Sequence, residues 1–203
     1  MHHLRFQSCP ADPDVWMRPA IKSDGNKYWE YILLYTDDAL CISEHPERTL
    51  QNELGKYFKL KEESIGPQKI YLGGKVRKVM LEHGVEAWAF GSSQYVLQAV
   101  KNVERYLNDC HCIGDTRFCI PAKANIPMRT SYQLELDTSP ELVGKDAWYY
   151  MSLIGVLRWI VELGKVDICL ECLMMSSCLA LPRVGHLEQV LHIFGYLKQH
   201  HNA

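Results

Sequence analysis

The sequence predicts an α+β fold in which antiparallel strands come first and packed helices follow. In the first 80 or so residues, short runs rich in aromatic and β-branched residues are separated by polar turns, as in antiparallel sheets. In the last third, apolar residues recur at helical spacing. The chain has 203 residues, of which 47% are hydrophobic and 23% charged, so it is large and apolar enough to bury a core.

A β-hairpin is the clearest predicted element of the first part. Residues 28–35 form one apolar run and residues 39–43 another, with a short polar break between them. Pro46 stands where a helix can begin, and apolar residues at 50, 54, 57 and 58 have helical spacing. Residues 70–76 predict a further strand, in which Gly73 and Gly74 indicate a bulge or a close backbone approach.

Helices are predicted from residue 92 onward. Ser92 or Ser93 can cap a helix whose inner face carries Val96, Ala99, Val100, Val103 and Leu107. Residues 108–142 lose this periodicity and contain three prolines, which favours a passage between domains. Residues 148–163 then predict a buried helix ended by Gly164. Asp167 can cap the next helix, and a final helix places Leu187, Val190, Leu191, Phe194 and Leu197 on one face.

Composition and charge exclude several classes of protein. No apolar stretch is long enough for a membrane helix, and no secretory signal opens the chain, so we expect an intracellular, cytoplasmic protein with reduced cysteines. The net charge of −2 does not by itself indicate a nucleic-acid partner. Residues 56–78 are locally basic, and such a stripe can follow phosphates, although a solvated surface is the simpler interpretation.

Two neighbouring carboxylates, Asp37 and Asp38, fall at the predicted turn of the hairpin. Adjacent carboxylates repel one another unless a cation neutralises them, and Mg²⁺ prefers oxygen ligands. Phosphoryl transfer commonly uses two such ions about 4 Å apart. The alternative is an ordinary turn, because aspartate is a common turn residue.

The stretch Tyr35-Thr36-Asp37-Asp38 resembles the Tyr-x-Asp-Asp box of reverse transcriptases of copia-type retrotransposons. Further segments resemble that family in the same order, namely residues 11–16, 65–67, 70–76, 92–96, 150–157, 166–168 and 186–198. Each motif is weak to moderate by itself, but together they cover nearly the whole chain. The resemblance implies a truncated polymerase palm in residues 1–85, a thumb-like segment in residues 86–125 and a helical connection region in residues 126–203.

The resemblance also implies roles for individual residues and partners. Asp37 and Asp38 would be catalytic ligands of Mg²⁺ or Mn²⁺. Residues near the primer or nucleotide would be Tyr35, Thr36, Leu72, Gly73 and Gly74. Residues that contact nucleic acid would be Lys69, Lys75, Arg77, Lys78, Lys101 and Arg105. The expected partners are an RNA or DNA template-primer and deoxynucleotides, with no membrane.

Some parts of a complete enzyme of this family are expected to be absent. The resemblance places a third carboxylate and the fingers upstream of residue 11, and a ribonuclease H segment downstream of the last helix. Asp12 and Asp14 are the only nearby carboxylates, and their position favours turn or capping roles. We therefore expect weak divalent-ion binding and no processive DNA synthesis by this chain by itself.

Other constellations favour structural roles. Cys110, His111, Cys112 and Cys119 could bind zinc, as could Cys169 and Cys172, but paired knuckles of the usual kind are not evident and thiols in apolar helices are ordinary small hydrophobes. Trp148, Tyr149, Tyr150 and Trp159 are expected in the core. Two alternatives to the polymerase fragment remain: a non-enzymatic retroelement remnant that binds nucleic acid weakly, and a nucleotide cyclase. The cyclase needs a Gly-Gly-acidic turn, which the hairpin lacks.

Overall fold

The computed structural model describes residues 1–36, 38–61, 65–67 and 69–202. The chain forms two compact units, Met1–Tyr71 and Leu72–Ala203. Antiparallel strands and helices occur in the order that the sequence predicts, so the α+β class is confirmed.

The first unit contains a four-stranded antiparallel meander in which every strand pairs with the next one along the chain. Its strands are β1 (Gln7–Ser8), β2 (Val15–Ile21), β3 (Lys27–Tyr35) and β4 (Asp38–Ile42). Side chains alternate between the two faces of β3, and this alternation buries Ile32 completely. Phe6, Ile32 and Leu54 form the small core of this unit.

A network of charged residues ties this sheet to the helical segment that follows it. Arg18 on β2 donates to Glu30 on β3 and to Glu53, with both distances 2.6 Å, and its guanidinium lies over the ring of Phe6. Burial opposes the ionisation of Glu30, but hydrogen bonds from Ser43, Arg18 and Tyr28 outweigh it and lower the pKa of this carboxyl. The network therefore compensates the buried charge.

The helix predicted to begin at Pro46 does begin there, but it is irregular. Most of it is a π-helical segment, Arg48–Glu53, and a 3₁₀ turn, Leu54–Lys56, follows. Leu54 is buried, whereas Tyr57 and Phe58, which share its helical spacing in the sequence, are exposed. Gly55 follows Leu54, and glycine disfavours the interior of a regular helix.

The strand predicted over residues 70–76 is divided into two strands, β5 (Ile70–Tyr71) and β6 (Gly74–Met80). Leu72 and Gly73 both have positive φ angles, 50° and 88°, and form a tight turn between them. Two successive residues with positive φ are typical of the turns that join antiparallel strands. The single-strand prediction was therefore wrong, because two glycines in an apolar run do not reveal which residue begins the turn.

The second unit, described over residues 72–202, combines a β-hairpin with four α-helices. Strand β6 pairs antiparallel with β7 (Glu86–Gly91). The helices are α1 (Ser93–Cys112), α2 (Lys145–Glu162), α3 (Cys169–Ser176) and α4 (Val184–Gln199). The predicted inner faces of α1 and α4 are all buried, and the four helices share one hydrophobic core.

Two predictions about these helices were wrong. Asp167 does not cap α3; its carboxylate accepts hydrogen bonds from the buried Lys165 ammonium and the Tyr196 hydroxyl, both at 2.7 Å. A buried ammonium needs a partner more than a helix end does, because the helix end can be solvated. Trp148, expected in the core, is 73% exposed on α2, whereas Tyr150 is fully buried.

The irregular segment between α1 and α2 lies within the second unit, whereas a passage between domains was predicted there. Phe118 and Leu142 from this segment pack into the core of the helices. The assignment of palm, thumb-like and connection roles remains a prediction. In the part of the chain that the structure describes, no helix combines the length and the apolar character that a membrane crossing needs.

Candidate functional site

The β3–β4 hairpin presents the Tyr-x-Asp-Asp stretch at its turn. Tyr35 and Asp38 are opposite each other in the last cross-strand pair, and only residues 36 and 37 lie between them. Asp38 thus begins β4, one residue before the predicted start of that strand. Asp37, predicted as the other catalytic and metal-binding carboxylate, lies outside the described residues.

Thr36 has a left-handed backbone conformation, with a φ angle of 54°. A β-branched residue rarely adopts this conformation, because its Cβ approaches the neighbouring backbone. The two-residue connection between paired strands favours positive φ angles, which explains why Thr36 accepts the strained conformation. Such strain is more frequent at functional sites than elsewhere, and costs on the order of 1–3 kcal/mol.

The carboxylate of Asp38 is exposed and lies near a buried phenol. Tyr71, which is 8% exposed, has its pKa raised by burial and by the negative charge of Asp38. The sequence did not single out Tyr71 as part of this site.

The residues that the structure describes fit a divalent ion only in part. Asp38 is an oxygen donor of the type that Mg²⁺ prefers, and it is accessible. Among the described residues, no three His, Cys, Asp or Glu side chains form a group that could hold a metal ion. Asp12 does not supply a further ligand here; its carboxylate accepts the N–H of Asp14 at 3.0 Å, the turn role that was predicted.

The predicted primer-proximal glycines lie beneath two aromatic rings of the second unit. A Cβ atom built on Gly74 would lie 1.9 Å from Cζ of Phe90, and one built on Gly73 would lie 2.9 Å from the ring of Tyr95. The predicted close approach is therefore confirmed, although rings rather than another backbone make it. A side chain at position 74 would have to displace the half-exposed Phe90 ring, and the positive φ of Gly73 favours glycine there as well.

The predicted basic residues of β6 differ in their surroundings. Lys75 and Arg77 are exposed on one face of the strand, opposite the small residues Gly91 and Ala89 of β7. Among the described residues, no ion pair engages either of them. Lys78 lies on the other face, where it pairs with Glu86 at 2.5 Å and lies over the ring of Trp88.

The other predicted nucleic-acid contacts are exposed as well. Lys101 and Arg105 are one helical turn apart on α1, so their side chains project from the same side of the helix. Between them, Glu104 pairs with Lys198 of α4 at 2.6 Å. Lys69 is exposed immediately before β5.

The cysteines that could have bound zinc differ in their exposure. Cys110 is buried, with its sulfur 3.8 Å from Nζ of Lys145, whereas Cys112 and Cys119 are exposed. The ring nitrogen Nε2 of His111 lies 2.8 Å from the carbonyl oxygen of Phe118. Cys172 is buried in the helical core, where burial raises the pKa of its thiol.

Sequence reasoning did not reveal a shallow groove between α1 and α2. Its volume is about 230 Å³, and its lining combines apolar side chains with the amides of Gln98 and Asn102. Close to it, the rings of Tyr106 and Tyr149 stack with their centroids 3.9 Å apart. No spacing pattern in the sequence indicates this cluster, because its residues come from two distant helices.

The chain is similar to a transposon protein. The putative transposon Ty5-1 protein of Saccharomyces cerevisiae is 25% identical to it over 169 residues, which cover 82% of this chain and 48% of that protein. The chain thus spans about half the length of this relative. No family model matches the chain. No solved structure matches it either.

Proposed function

We propose that the chain is a fragment of an RNA-directed DNA polymerase of a copia-type retrotransposon, and that its β3–β4 hairpin supplies carboxylates for divalent ions. The observation that carries this proposal is the Tyr35–Asp38 pair at a two-residue turn. The pairing leaves Asp38 exposed at the start of β4, next to Thr36 with its left-handed backbone. The similarity to a transposon protein supports the same assignment.

Mg²⁺ or Mn²⁺ would be held by Asp38 and, on the basis of the sequence motif, by Asp37. When bound, the ions would supply charge neutralisation for nucleotidyl transfer. At the hairpin the described residues contribute a single carboxylate, that of Asp38. Tyr35 would lie on the same face as Asp38 and position the primer end, and Leu72, Gly73 and Gly74 would form a second contact with the primer.

The template-primer and deoxynucleotides are the proposed ligands of the complete polymerase. The phosphate-binding residues would be Lys75 and Arg77 on β6 and Lys101 and Arg105 on α1, since all four are exposed and no described ion pair engages them. Lys78 is a weaker candidate, because Glu86 already neutralises its charge. Lys69 is proposed on the sequence resemblance.

A nucleotide-incorporation assay tests this proposal. Purified wild-type chain, with a primed RNA template and either Mg²⁺ or Mn²⁺, should show no processive synthesis. Any residual metal-dependent incorporation should disappear in Asp38→Asn and persist in Asp24→Asn, a change in the β2–β3 turn of the same unit. Efficient extension by the wild-type chain would contradict the expected lack of activity, and residual incorporation that survives in Asp38→Asn would contradict the assigned site.

The second candidate function is nucleic-acid binding without catalysis. The exposed cationic face formed by Lys75 and Arg77 favours it, because this face requires no metal and no additional carboxylate. Salt-sensitive binding of nucleic acid, combined with the absence of divalent-ion binding at the hairpin, would distinguish this function from the polymerase fragment.

A further inference from the structure

Strand β7 has an unusual edge. It is the end strand of its sheet, and its backbone pairs on one side with β6. Every second residue of an end strand directs its N–H and C=O groups away from the sheet, where they can accept another strand. Natural edges are usually protected by lysine, proline or a bulge, but Glu86 is the only charged residue in Glu86–Gly91 and none of the six residues is a proline.

Small and aromatic residues alternate along this edge strand. Trp88 and Phe90 lie on one face and are 61% and 48% exposed. Ala87, Ala89 and Gly91 lie on the opposite face. The pattern small–aromatic–small–aromatic–small reads the same in both directions about Ala89.

We propose that β7 is a docking edge for a second copy of this chain, which pairs with it antiparallel about a twofold axis at Ala89. In this register Trp88 of each copy lies opposite Phe90 of the other, and Ala87 lies opposite Gly91. Cross-strand aromatic pairs contribute roughly 0.2–1 kcal/mol each beyond the pairing of the backbones. A second copy fits better than an unrelated strand because the symmetric pattern satisfies a twofold, self-complementary contact.

The charge of Glu86 and the surface area buried between the two copies determine how strongly the strands pair. Glu86 lies outside the five paired residues, and Lys78 neutralises it within its own hairpin, so like charges do not meet across the axis. The paired strands and four rings bury less than the roughly 800 Å² per partner of a stable interface. The dimer is therefore weak, with a dissociation constant on the order of micromolar to tens of micromolar.

Disulfide formation between introduced cysteines tests the register. In Ala89→Cys the two thiols would face each other across the axis with Cα atoms about 4.5–5.5 Å apart, within the range that a disulfide spans. In the matched variant Ala87→Cys, on the same face of the same strand, the equivalent Cα atoms would be about 14 Å apart. Under mild oxidation Ala89→Cys should form a covalent dimer, and Ala87→Cys should not exceed the wild-type background from native thiols. Equal crosslinking of the two variants, or none above background in either, would overturn the proposed pairing.

Sedimentation of the full chain provides a second test that needs no new thiol. The wild-type chain should dimerise reversibly as its concentration rises to about 100 μM. Trp88→Lys, which places a charge at the centre of the contact, should weaken dimerisation about tenfold or more. Trp148→Lys, the same change at an exposed tryptophan of α2, should leave it unchanged. A wild-type chain that remains monomeric at this concentration, or equal effects of the two lysine variants, would contradict the docking edge, whatever the outcome for the polymerase proposal.

Discussion

Tyr35 and Asp38 face each other across the end of the β3–β4 hairpin. Directly opposite residues of an antiparallel pair project to the same face of the sheet, so the Tyr35 ring and the Asp38 carboxylate share one face. Tyr35 is 48% exposed and Asp38 is exposed. The pair thus offers an aromatic surface and an anionic oxygen side by side at the turn.

Replacing Gly74 by alanine should destabilise the second unit. The new Cβ would overlap Cζ of Phe90, and the ring would have to leave its position against the strand. We expect the free energy of unfolding to fall by about 1–2 kcal/mol, measured by chemical denaturation.

Two further variants isolate the cause of this destabilisation. Gly91→Ala, in the paired strand, should change stability little, because nothing lies within 4 Å of its Cβ position. In a Phe90→Ala background, Gly74→Ala should have a much smaller effect, since the two changes act at one point of packing. Additive effects of the two changes would contradict the packing of this ring on Gly74.

Acidification should destabilise the second unit through His186. This histidine is 5% exposed, and burial lowers its pKa although the nearby Asp137 carboxylate opposes that shift. In the unfolded chain a histidine binds a proton near pH 6.5, whereas the folded His186 does so only at lower pH. The unfolded state therefore binds more protons as pH falls through about 6.5, and stability decreases there.

The measurement is the free energy of unfolding at several pH values between about 8 and 5. His186→Gln should flatten the decrease in stability below pH 6.5, whatever its effect on stability at pH 8. Burial also lowers the pKa of His192, so adding His192→Gln should flatten the profile further. A slope that is the same in the wild type and in both variants would show that these histidines do not control it.

Removing the cationic face of β6 should weaken binding to nucleic acid and reduce its salt dependence. For Lys75→Ala with Arg77→Ala, the slope of log affinity against log salt concentration should decrease by about one for each phosphate that the variant no longer neutralises. Fluorescence anisotropy with a labelled RNA–DNA duplex measures this slope. Lys198→Ala is the control, because Glu104 already pairs with Lys198; an equal reduction in the control would indicate a nonspecific charge effect.

Periodicity predicted most of the fold because the buried faces of the long helices depend on local spacing. The inner faces of α1 and α4 follow directly from apolar residues at helical spacing. The two strands of the β3–β4 hairpin follow from two apolar runs with a short polar break between them. Turns were predicted less well: the divided strand at Leu72–Gly73 depends on two φ angles that composition does not specify.

Interactions between residues that are far apart in the chain could not be predicted from the sequence. Asp167 binds Lys165 and Tyr196 instead of capping a helix, because the partner at residue 196 is brought near only by the packing of α4. The influence of Asp38 on Tyr71 was not predicted either, because the two residues are 33 positions apart in the sequence. The candidate site was predicted from the order of its motifs, whereas the strain at Thr36 became visible only in the structure.

Binding of Mn²⁺ at the hairpin tests the central claim most directly. Titration of the purified chain with Mn²⁺, followed by electron paramagnetic resonance of the free ion, should reveal weak binding that Asp38→Asn reduces severalfold or more. Asp24→Asn, at the turn between β2 and β3, should bind Mn²⁺ as the wild type does. Binding that is unchanged in Asp38→Asn, or reduced equally by both substitutions, would contradict a metal-binding role for the Tyr-x-Asp-Asp hairpin.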